Sequence, residues 1–302
     1  MLATHAALVK GFFAELGVNV QGYPMLDNRT AFQENRPHRL WVKTDAGVSE
    51  ADFGFFDMDG FHHMAAGKVP YYIVEGMHFG CQATMVAADS PVKSPADLKG
   101  KTVEMIPYFS EPFLLHGHMW SNFWLKAPGY DSAKDLAMAP MPWEAVPRLS
   151  DYIAEGFKTG KFDAVIVGEP LTSILEQKKI ARTLVRQNDH TYNKEYCCLF
   201  AIKQSIVDTQ PEKARRIVQA FRRAKQWVAQ NPREAVGASQ TAGYLPAGLP
   251  VKAVVKATAE MGFGIPLDLE KALERSIQDR IASGAMDKTA TELVRLHYRK
   301  IE

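Results

Sequence analysis

The sequence predicts an α/β protein with a helical C-terminal third. Short apolar segments with strand character recur through the first two thirds of the chain, and segments with helical spacing separate them. Such alternation is typical of parallel sheets covered by helices. From Pro211 onward the apolar spacing is helical throughout. The 302 residues, 46% of them hydrophobic, are enough for two packed lobes or for one large α/β domain.

The N-terminal segment predicts a helix over residues 5–16. Gly17 follows it at the position of a C-cap glycine. The alternation at 18–20 then predicts a short strand. The apolar residues of the helix recur at helical spacing, and they are Ala6, Leu8, Val9, Phe12, Phe13 and Leu16.

The middle of the chain predicts strands with helices between them. Strands are predicted at 51–55, 71–74, 84–88, 102–106, 164–167 and 197–202. The wholly apolar segment 164–167 is typical of a parallel strand buried on both faces. Ser94 and Pro95 predict a helix start, with serine as N-cap and proline at the first helical position. Helices are further predicted at 62–66, after the loop 107–112, after the loop 168–170, and at 211–230, 233–241, 250–261, 267–283 and 287–300.

Charge and hydropathy exclude several classes of protein. The formal net charge is +2 and 23% of residues are charged, without a long block of one sign, so no nucleic-acid partner is expected. No segment approaches the roughly 18 apolar residues that a membrane span needs. Residues 1–8 lack the basic and apolar regions of a signal peptide. Either the protein is cytoplasmic or its export signal lies outside this sequence.

The three cysteines are Cys81, Cys197 and Cys198, and no C-x-x-C spacing is present. Adjacent cysteines rarely bridge each other. We interpret all three as buried small apolar side chains.

Five segments, in order along nearly the whole chain, resemble the periplasmic substrate-binding proteins of ABC importers in the nitrate/sulfonate/taurine group. They are GFFAELGV at 11–18, ADFG at 51–54, SPADLKGKTV at 94–103, the G-x-x-D-A and G-E-P elements within 160–170, and the helical stretch 211–235. The resemblance implies a type II periplasmic-binding-protein fold, with two lobes joined by two hinge crossings and a helical C-terminal tail. The crossings are then expected near 82–86 and 197–201. Lobe one is expected at 1–84 plus 198–302, and lobe two at 85–197.

Two features depart from the family pattern. The family has a strand and a signal peptide before its first helix, whereas this chain starts almost at that helix. A lobe without a central strand would expose unpaired strand edges. The stretch 27–50 is also polar and irregular where a clearer helix is expected.

The family topology places the ligand at the carboxyl ends of strands and at helix N-termini. Four loops then carry the candidate ligand-binding residues, which are His5, Asp57, Met58, Asp59, Tyr108, Phe109, Ser110, Glu111 and Glu169. These loops contain acids and aromatic rings but no lysine or arginine. We therefore expect an amine or a heteroaromatic compound as ligand.

Other interpretations of these residues stay open. An anion such as nitrate, a sulfonate or bicarbonate is the alternative ligand, held by helix N-terminal N–H groups. In a purely structural interpretation, Asp57 and Asp59 cap the helix that follows them. Glu111 then only interacts with the first turn of the next helix and does not bind a ligand. The positive charges that could reach the cleft and reverse the argument are Arg29, Arg36 and Arg39.

No catalytic or metal function is expected. Neither the pair His62 and His63 nor the pair His116 and His118 has good helical ligand spacing, although a metal site of Asp57, Asp59 and a histidine stays open. No Ser/His/Asp, G-x-S-x-G or Walker pattern occurs. The chain distantly resembles the thiamine-pyrimidine synthases, whose cysteine-rich run is incomplete here at 196–200. We expect a monomeric, cofactor-free binding protein that serves an ABC permease, periplasmic or otherwise extracytoplasmic by resemblance.

Overall fold

The structure is a computed structural model, and it describes most of the chain. The described residues are 2–23, 40–57, 69–106, 132–187, 196–245, 248–282 and 286–302. The helices predicted at 62–66 and after the loop 107–112 lie outside these residues.

The described strands lie mainly before residue 187, and the later part of the chain is mostly helical. The strands are β1 (Trp41–Thr44), β2 (Gly47–Glu50), β3 (Phe53–Asp57), β4 (Tyr71–His78), β5 (Gln82–Ala87), β6 (Lys101–Met105), β7 (Leu136–Pro140), β8 (Ala164–Gly168), β9 (Ala181–Arg186) and β10 (Cys198–Lys203). The α-helices are α1 (Leu2–Val9), α2 (Phe12–Glu15), α3 (Ser132–Asp135), α4 (Leu149–Thr159), α5 (Leu171–Gln177), α6 (Gln204–Thr209), α7 (Pro211–Gln230), α8 (Pro232–Thr241), α9 (Val251–Glu260), α10 (Leu269–Ala282) and α11 (Leu293–His297). Short 3₁₀ turns occupy Pro95–Leu98, Trp143–Arg148 and Lys288–Glu292.

The predicted helix at 5–16 is wrong in its bounds, because the chain forms two helices there. Gly11 separates α1 from α2 with a φ of 72°, a left-handed conformation that interrupts helical geometry. The predicted glycine cap is confirmed. Gly17 N–H donates to the Ala14 carbonyl and Val18 N–H donates to the Phe13 carbonyl, the paired bonds of a Schellman motif.

The remaining part of the first 50 residues differs from its prediction. Residues 18–20 form no strand with any other described segment, because the N–H of Val18 serves the helix cap instead. Residues 41–50, expected as irregular or helical, form an antiparallel hairpin in which Trp41 lies opposite Glu50. Gly47 allows its turn with a φ of 114°.

Strands β3 to β10 form two sheets. The three-stranded sheet has the order β3-β10-β4 and is antiparallel. The five-stranded sheet has the order β7-β6-β8-β5-β9, with β6 parallel to β7 and β8 but β5 antiparallel to β8 and β9. The prediction of parallel sheets therefore holds only for β7-β6-β8. Strand β5 enters directly from the other sheet through residues 79–81, so no crossover helix aligns it with its neighbours.

Each sheet is buried on both faces. In β10, Phe200 and Ile202 pack in one apolar cluster with α1 and α7, whereas Leu199 and Ala201 pack in a second cluster with α10 and α11. The same alternation in β8 divides its residues between two clusters around the five-stranded sheet. The prediction that 164–167 is buried on both faces is confirmed.

The C-terminal helices mainly cover the three-stranded sheet. Helix α7 has the predicted bounds, and its Phe221 stacks on Phe200 with ring centroids 4.0 Å apart. The single helix predicted at 287–300 is wrong, because a 3₁₀ turn precedes the short α11 and Tyr298 then pairs with Ile73. Among the helices that the structure describes, none has the length and apolar character to cross a membrane.

Candidate functional site

The chain passes twice between the two sheets, and these passages position the candidate site. Strand β4 ends at His78 and β5 begins at Gln82, so residues 79–81 form the first crossing. The second crossing lies between the end of β9 at Arg186 and the start of β10 at Cys198. The segment 82–86, expected as the first crossing, lies inside β5 and follows the connection 79–81. Most of the segment 197–201, expected as the second crossing, belongs to β10.

The first crossing is held by hydrogen bonds from three directions. Gly80 N–H donates to the buried Gln187 side chain at 2.9 Å. The Phe79 carbonyl accepts from Gly262 N–H at 3.0 Å, and the Cys81 carbonyl accepts from Glu169 N–H at 2.6 Å. The crossing is thus tied to the second crossing, the C-terminal region and the loop after β8.

His5 lies on α1, beside the three-stranded sheet. Its ring stacks on Tyr244 with centroids 4.7 Å apart. Its Nδ1 atom, like Thr4 Oγ1, is buried and has no hydrogen-bond partner among the described residues. Burial lowers the pKa of His5 from 6.5 to about 3, since desolvation disfavours the charged imidazole. The side chain is therefore neutral at neutral pH.

Glu169 lies at the carboxyl end of β8, and its side chain is fully buried. The carboxylate accepts from Ser173 N–H at 3.1 Å and from the Ser173 hydroxyl at 3.2 Å. Arg186 Nη1 donates to it at 2.5 Å. The carboxylate thus has three donors from the protein itself, and its charge is balanced by Arg186.

Two polar side chains beside Glu169 were not among the sequence-predicted residues. Gln82 lies opposite Gly168 in the β5–β8 ladder, and Thr172 stands in the first turn of α5. Gln82 Oε1 and Thr172 Oγ1 are both buried without a hydrogen-bond partner in the described part of the chain. Thr172 has no exposed surface. A polar residue in the first turn after the G-E-P loop was the signal that could have found Thr172.

One further predicted site residue, Asp57, lies in the part of the chain that the structure describes. Asp57 ends β3, and its backbone lies opposite Cys198 in the ladder to β10. Outside the described residues lie Met58, Asp59, Tyr108, Phe109, Ser110 and Glu111, together with Arg29, Arg36, Arg39, His62, His63, His116 and His118. His5 lies on α1, which packs on the three-stranded sheet, and Glu169 directly follows β8 of the five-stranded sheet, so the two described side chains lie beside different sheets.

The three cysteines lie close together at the crossings. All three are free, but the expectation that all three are buried holds for Cys197 alone. Cys81 Sγ lies 2.7 Å from Cys197 Sγ, and Cys197 Sγ lies 3.1 Å from His78 Nδ1 and 3.9 Å from Cys198 Sγ. Cys81 and Cys198 are also partly exposed. The antiparallel pairing of β10 with β4 causes this convergence, because it sets Cys198 opposite His78.

This cysteine cluster has perturbed acid–base properties. Burial raises the pKa of the Cys197 thiol well above its usual value. The hydrogen bond from Cys197, followed by the nearby His78, holds the pKa of Cys198 well below the usual value. Within the described segments, His78, Cys197 and Cys198 are the group of three possible metal ligands, with ligand atoms within 4.8 Å of one another.

An ion-pair network joins the five-stranded sheet to the C-terminal helices. Arg186 of β9 lies 3.5 Å from Glu176 of α5 and 3.7 Å from Glu260 of α9. Lys256 of α9 lies 3.1 Å from Glu176 and 2.9 Å from Glu260. The network therefore connects the loop after β8 to the helices beyond residue 250.

Solved structures share this architecture. The periplasmic nitrate-binding protein NrtA from Synechocystis PCC 6803 has a TM-score of 0.68 at 15% identity, over 98% of this chain and 83% of that chain. The alkanesulfonate-binding protein SsuA from Xanthomonas axonopodis pv. citri, bound to MOPS, has a TM-score of 0.61 at 17% identity, over 83% and 81%. The desulfurization enzyme DSZB has a TM-score of 0.64 at 14% identity, over 98% and 96%. The fold is that of the type II periplasmic binding proteins, as predicted.

The chain belongs to the NMT1-like family, whose sequence profile matches residues 4–242. The nitrate/nitrite binding protein NrtA of Nostoc sp. (strain PCC 7120 / SAG 25.82 / UTEX 2576) is 25% identical to it over 245 residues, 72% of this chain. That alignment covers 49% of NrtA, so the chain spans about half the length of this curated relative. These findings confirm the resemblance to the binding proteins of nitrate and sulfonate importers.

Proposed function

We propose that the protein captures a small oxyanion of the nitrate or sulfonate class and delivers it to an ABC permease outside the cytoplasm. Three of the four similar proteins named above are nitrate, nitrite or sulfonate binding proteins, which favours an anion over the amine or heteroaromatic ligand expected from the loops. The protein would bind its ligand without changing it.

The burial of Glu169 is the observation that carries this proposal. The expectation of an amine rested on carboxylates free to accept from its N–H groups. The Glu169 carboxylate already accepts from Ser173 and Arg186, and the arginine balances its charge. It therefore exerts little repulsion on an anion, and an amine would have to compete with an intramolecular ion pair. We propose that Glu169 shapes the loop after β8 without contacting the ligand.

Neutral hydrogen-bonding groups would hold the anion. Thr172 Oγ1 and Gln82 stand at the carboxyl end of β8, and Thr4 Oγ1 and neutral His5 stand on α1. A hydroxyl donates one hydrogen bond, and the amide of Gln82 donates once its O and N positions are exchanged. Buried polar atoms without partners are costly, so a bound anion that accepts from them would recover that free energy.

The lobes that close on the ligand would each contain one sheet. We propose that lobe one comprises residues up to 78 plus 198–302, with the three-stranded sheet, and that lobe two comprises 82–187, with the five-stranded sheet. The boundary expected at residue 84 falls inside β5, so residues 79–81 are the better hinge. Hinge closure needs only a few backbone torsions in such connections.

Titration calorimetry tests the ligand class. Nitrate, nitrite and methanesulfonate are compared with benzylamine and an aminopyrimidine. We expect one oxyanion to bind with micromolar or tighter affinity, and at a hundredfold excess over its Kd it should stabilise the fold by about 2.7 kcal/mol. Ligand recovered after incubation should be unchanged by NMR. Binding of the amines alone would contradict the proposal, and an altered ligand would indicate an enzyme.

Removal of one hydroxyl tests the site. Thr172→Val keeps the shape of the side chain and should weaken the oxyanion about 5- to 20-fold, since one neutral hydrogen bond is lost. Thr209→Val is the control, because Thr209 lies exposed on α6 and donates to the Ser205 carbonyl. Equal affinities of the two variants would place the anion elsewhere.

A further inference from the structure

We propose that Cys81 and Cys197 form a reversible disulfide that ties together the two crossings between the sheets. Their sulfur atoms lie 2.7 Å apart, which is closer than a non-bonded contact of two sulfurs and about 0.7 Å longer than a disulfide bond. Cys81 belongs to the first crossing and Cys197 to the end of the second. This inference is independent of the ligand's chemical class.

The backbone already holds both cysteines in place. Cys197 N–H donates to the His78 carbonyl at 3.0 Å, and the Cys81 carbonyl accepts from Glu169 N–H at 2.6 Å. The two thiols therefore need only a small adjustment of their side chains to bond. A large backbone movement, which commonly strains disulfides, is not required.

Cys81 is a better partner for Cys197 than Cys198 is. The Cys197–Cys198 sulfur separation is 3.9 Å, compared with 2.7 Å to Cys81. A bond between adjacent residues also closes a very small ring, which distorts the peptide between them. Cys198 is left as a thiol beside the bridge.

The chemistry balances with a dissolved disulfide as oxidant. The thiolate of the partly exposed Cys81 attacks oxidised glutathione, one glutathione leaves as a thiol, and Cys197 then displaces the other glutathione. The S–S bond forms as the glutathione S–S bond is lost, and two protons and two electrons pass to the two glutathione thiols. Excess reduced glutathione reverses the reaction.

The bond would act on the relative motion of the sheets. It joins positions 116 residues apart and fixes the first crossing against the start of β10. A cross-link over so long a loop restricts the unfolded chain strongly. Because hinge motion is concentrated in such crossings, oxidation would also restrict opening and closing, and reduction would release it.

The test equilibrates the full chain in oxidised or reduced glutathione, alkylates the remaining thiols, and maps the peptides by mass spectrometry. Of the three cysteines, the oxidised chain should label only Cys198 and yield a peptide that joins Cys81 to Cys197, whereas the reduced chain labels all three. Cys198→Ser is the matched control and should still form the bridge. Cys81→Ser should lose it.

Two further measurements follow the consequence of the bond. The thermal midpoint of the oxidised wild type and of Cys198→Ser should rise by about 5 °C or more, and that of Cys81→Ser should not. Amide hydrogen exchange at 79–81 should slow in the oxidised chain.

Three outcomes would overturn the proposal. The first is a folded chain that keeps Cys81 alkylatable in oxidised glutathione or carries glutathione there. The second is a peptide that joins Cys197 to Cys198. The third is protection of Cys197 and Cys198 by added Zn²⁺, lost in Cys198→Ser, while Cys81 never cross-links, which would make the cluster a metal site.

Discussion

Glu169 illustrates how the environment of one residue bears on its proposed role. The sequence predicted a ligand-binding carboxylate, and the structure surrounds it with Ser173 and Arg186. An ion pair without access to water is costly to break from one side, because the remaining charge stays buried. We propose that its contribution is to stability.

We predict that Glu169→Ala lowers the free energy of unfolding by about 2–4 kcal/mol in urea titrations. The loss is smaller than for a buried arginine left without any acidic partner, because Glu176 and Glu260 both lie within 4 Å of Arg186. The control is Glu155→Ala, which removes a 3.9 Å pair of exposed side chains with Arg148 and should change stability by less than about 0.5 kcal/mol. Equal effects would show that the buried pair is not the source.

His5 makes stability depend on pH. Its folded-state pKa of about 3 lies below the unfolded value of 6.5, so the unfolded chain binds a proton first as pH falls. The stability associated with neutral His5 is therefore complete above pH 6.5 and is lost progressively as pH falls toward 3.

We predict that His5→Phe reduces this pH dependence while keeping a ring against Tyr244. Between pH 7 and pH 4.5 the wild type should lose about 2–3 kcal/mol more unfolding free energy than the variant, since other groups titrate equally in both. Urea unfolding at the two pH values measures the difference. Parallel losses would show that His5 is accessible to protons in the folded chain.

At the scale of elements, Gly156 allows helix α4 to pack closely against the ring of Phe162. A Cβ at this position would overlap the ring of Phe162, which is 2% exposed and packs against Tyr152 and Phe157. Helix propensity alone favours alanine by about 1 kcal/mol. Close packing opposes it, because the buried ring has little room to move.

We predict that Gly156→Ala destabilises the protein by about 1–2 kcal/mol, because the overpacking cost exceeds the propensity gain. Gly237→Ala is the matched control in the interior of α8, where an added Cβ meets nothing within 4 Å. It should stabilise by about 0.5–1 kcal/mol. Thermal unfolding measures both. A stabilising Gly156→Ala would show that α4 shifts freely.

A helix or strand was predictable where its apolar spacing or its capping residues lie within the segment itself. Helix α7 follows from its local spacing, and the start of the turn Pro95–Leu98 follows from Ser94 as N-cap with proline at the next position. The hairpin at 41–50 was missed because its exposed second strand has little apolar alternation. The antiparallel direction of β5 was missed because it depends on the short connection from β4, which belongs to the other sheet.

The whole molecule is joined by more than its two crossings. Lys256 of α9 pairs with Glu176 of α5, which connects the C-terminal helices to the five-stranded sheet. Both side chains are partly exposed, so the pair is screened by salt and its contribution is modest. The C-terminal helices therefore contact both sheets, although they cover mainly the three-stranded sheet.

We predict a coupling free energy of about 0.5–1 kcal/mol between Lys256→Ala and Glu176→Ala in a double-mutant cycle. It should fall toward zero in about 1 M salt, where the Debye length is roughly 3 Å. The Lys271–Asp268 pair, 3.3 Å apart at the start of α10, serves as a local control. Coupling that persists in high salt would indicate a packing contribution in place of charge.

The sequence by itself determined most helices and strands, because periodicity and capping act within a few residues of one another. The family, and the fold that it implies, followed from the resemblance of five ordered segments. The tertiary structure decided what depends on distant neighbours. It set β5 antiparallel to its neighbours in the five-stranded sheet, and it buried the Glu169 side chain beside Arg186. It also placed Cys81 next to Cys197, although the two are 116 residues apart in the sequence. The candidate site was predictable only as a set of loops, since the charge and accessibility of each side chain are set by segments far away in the chain.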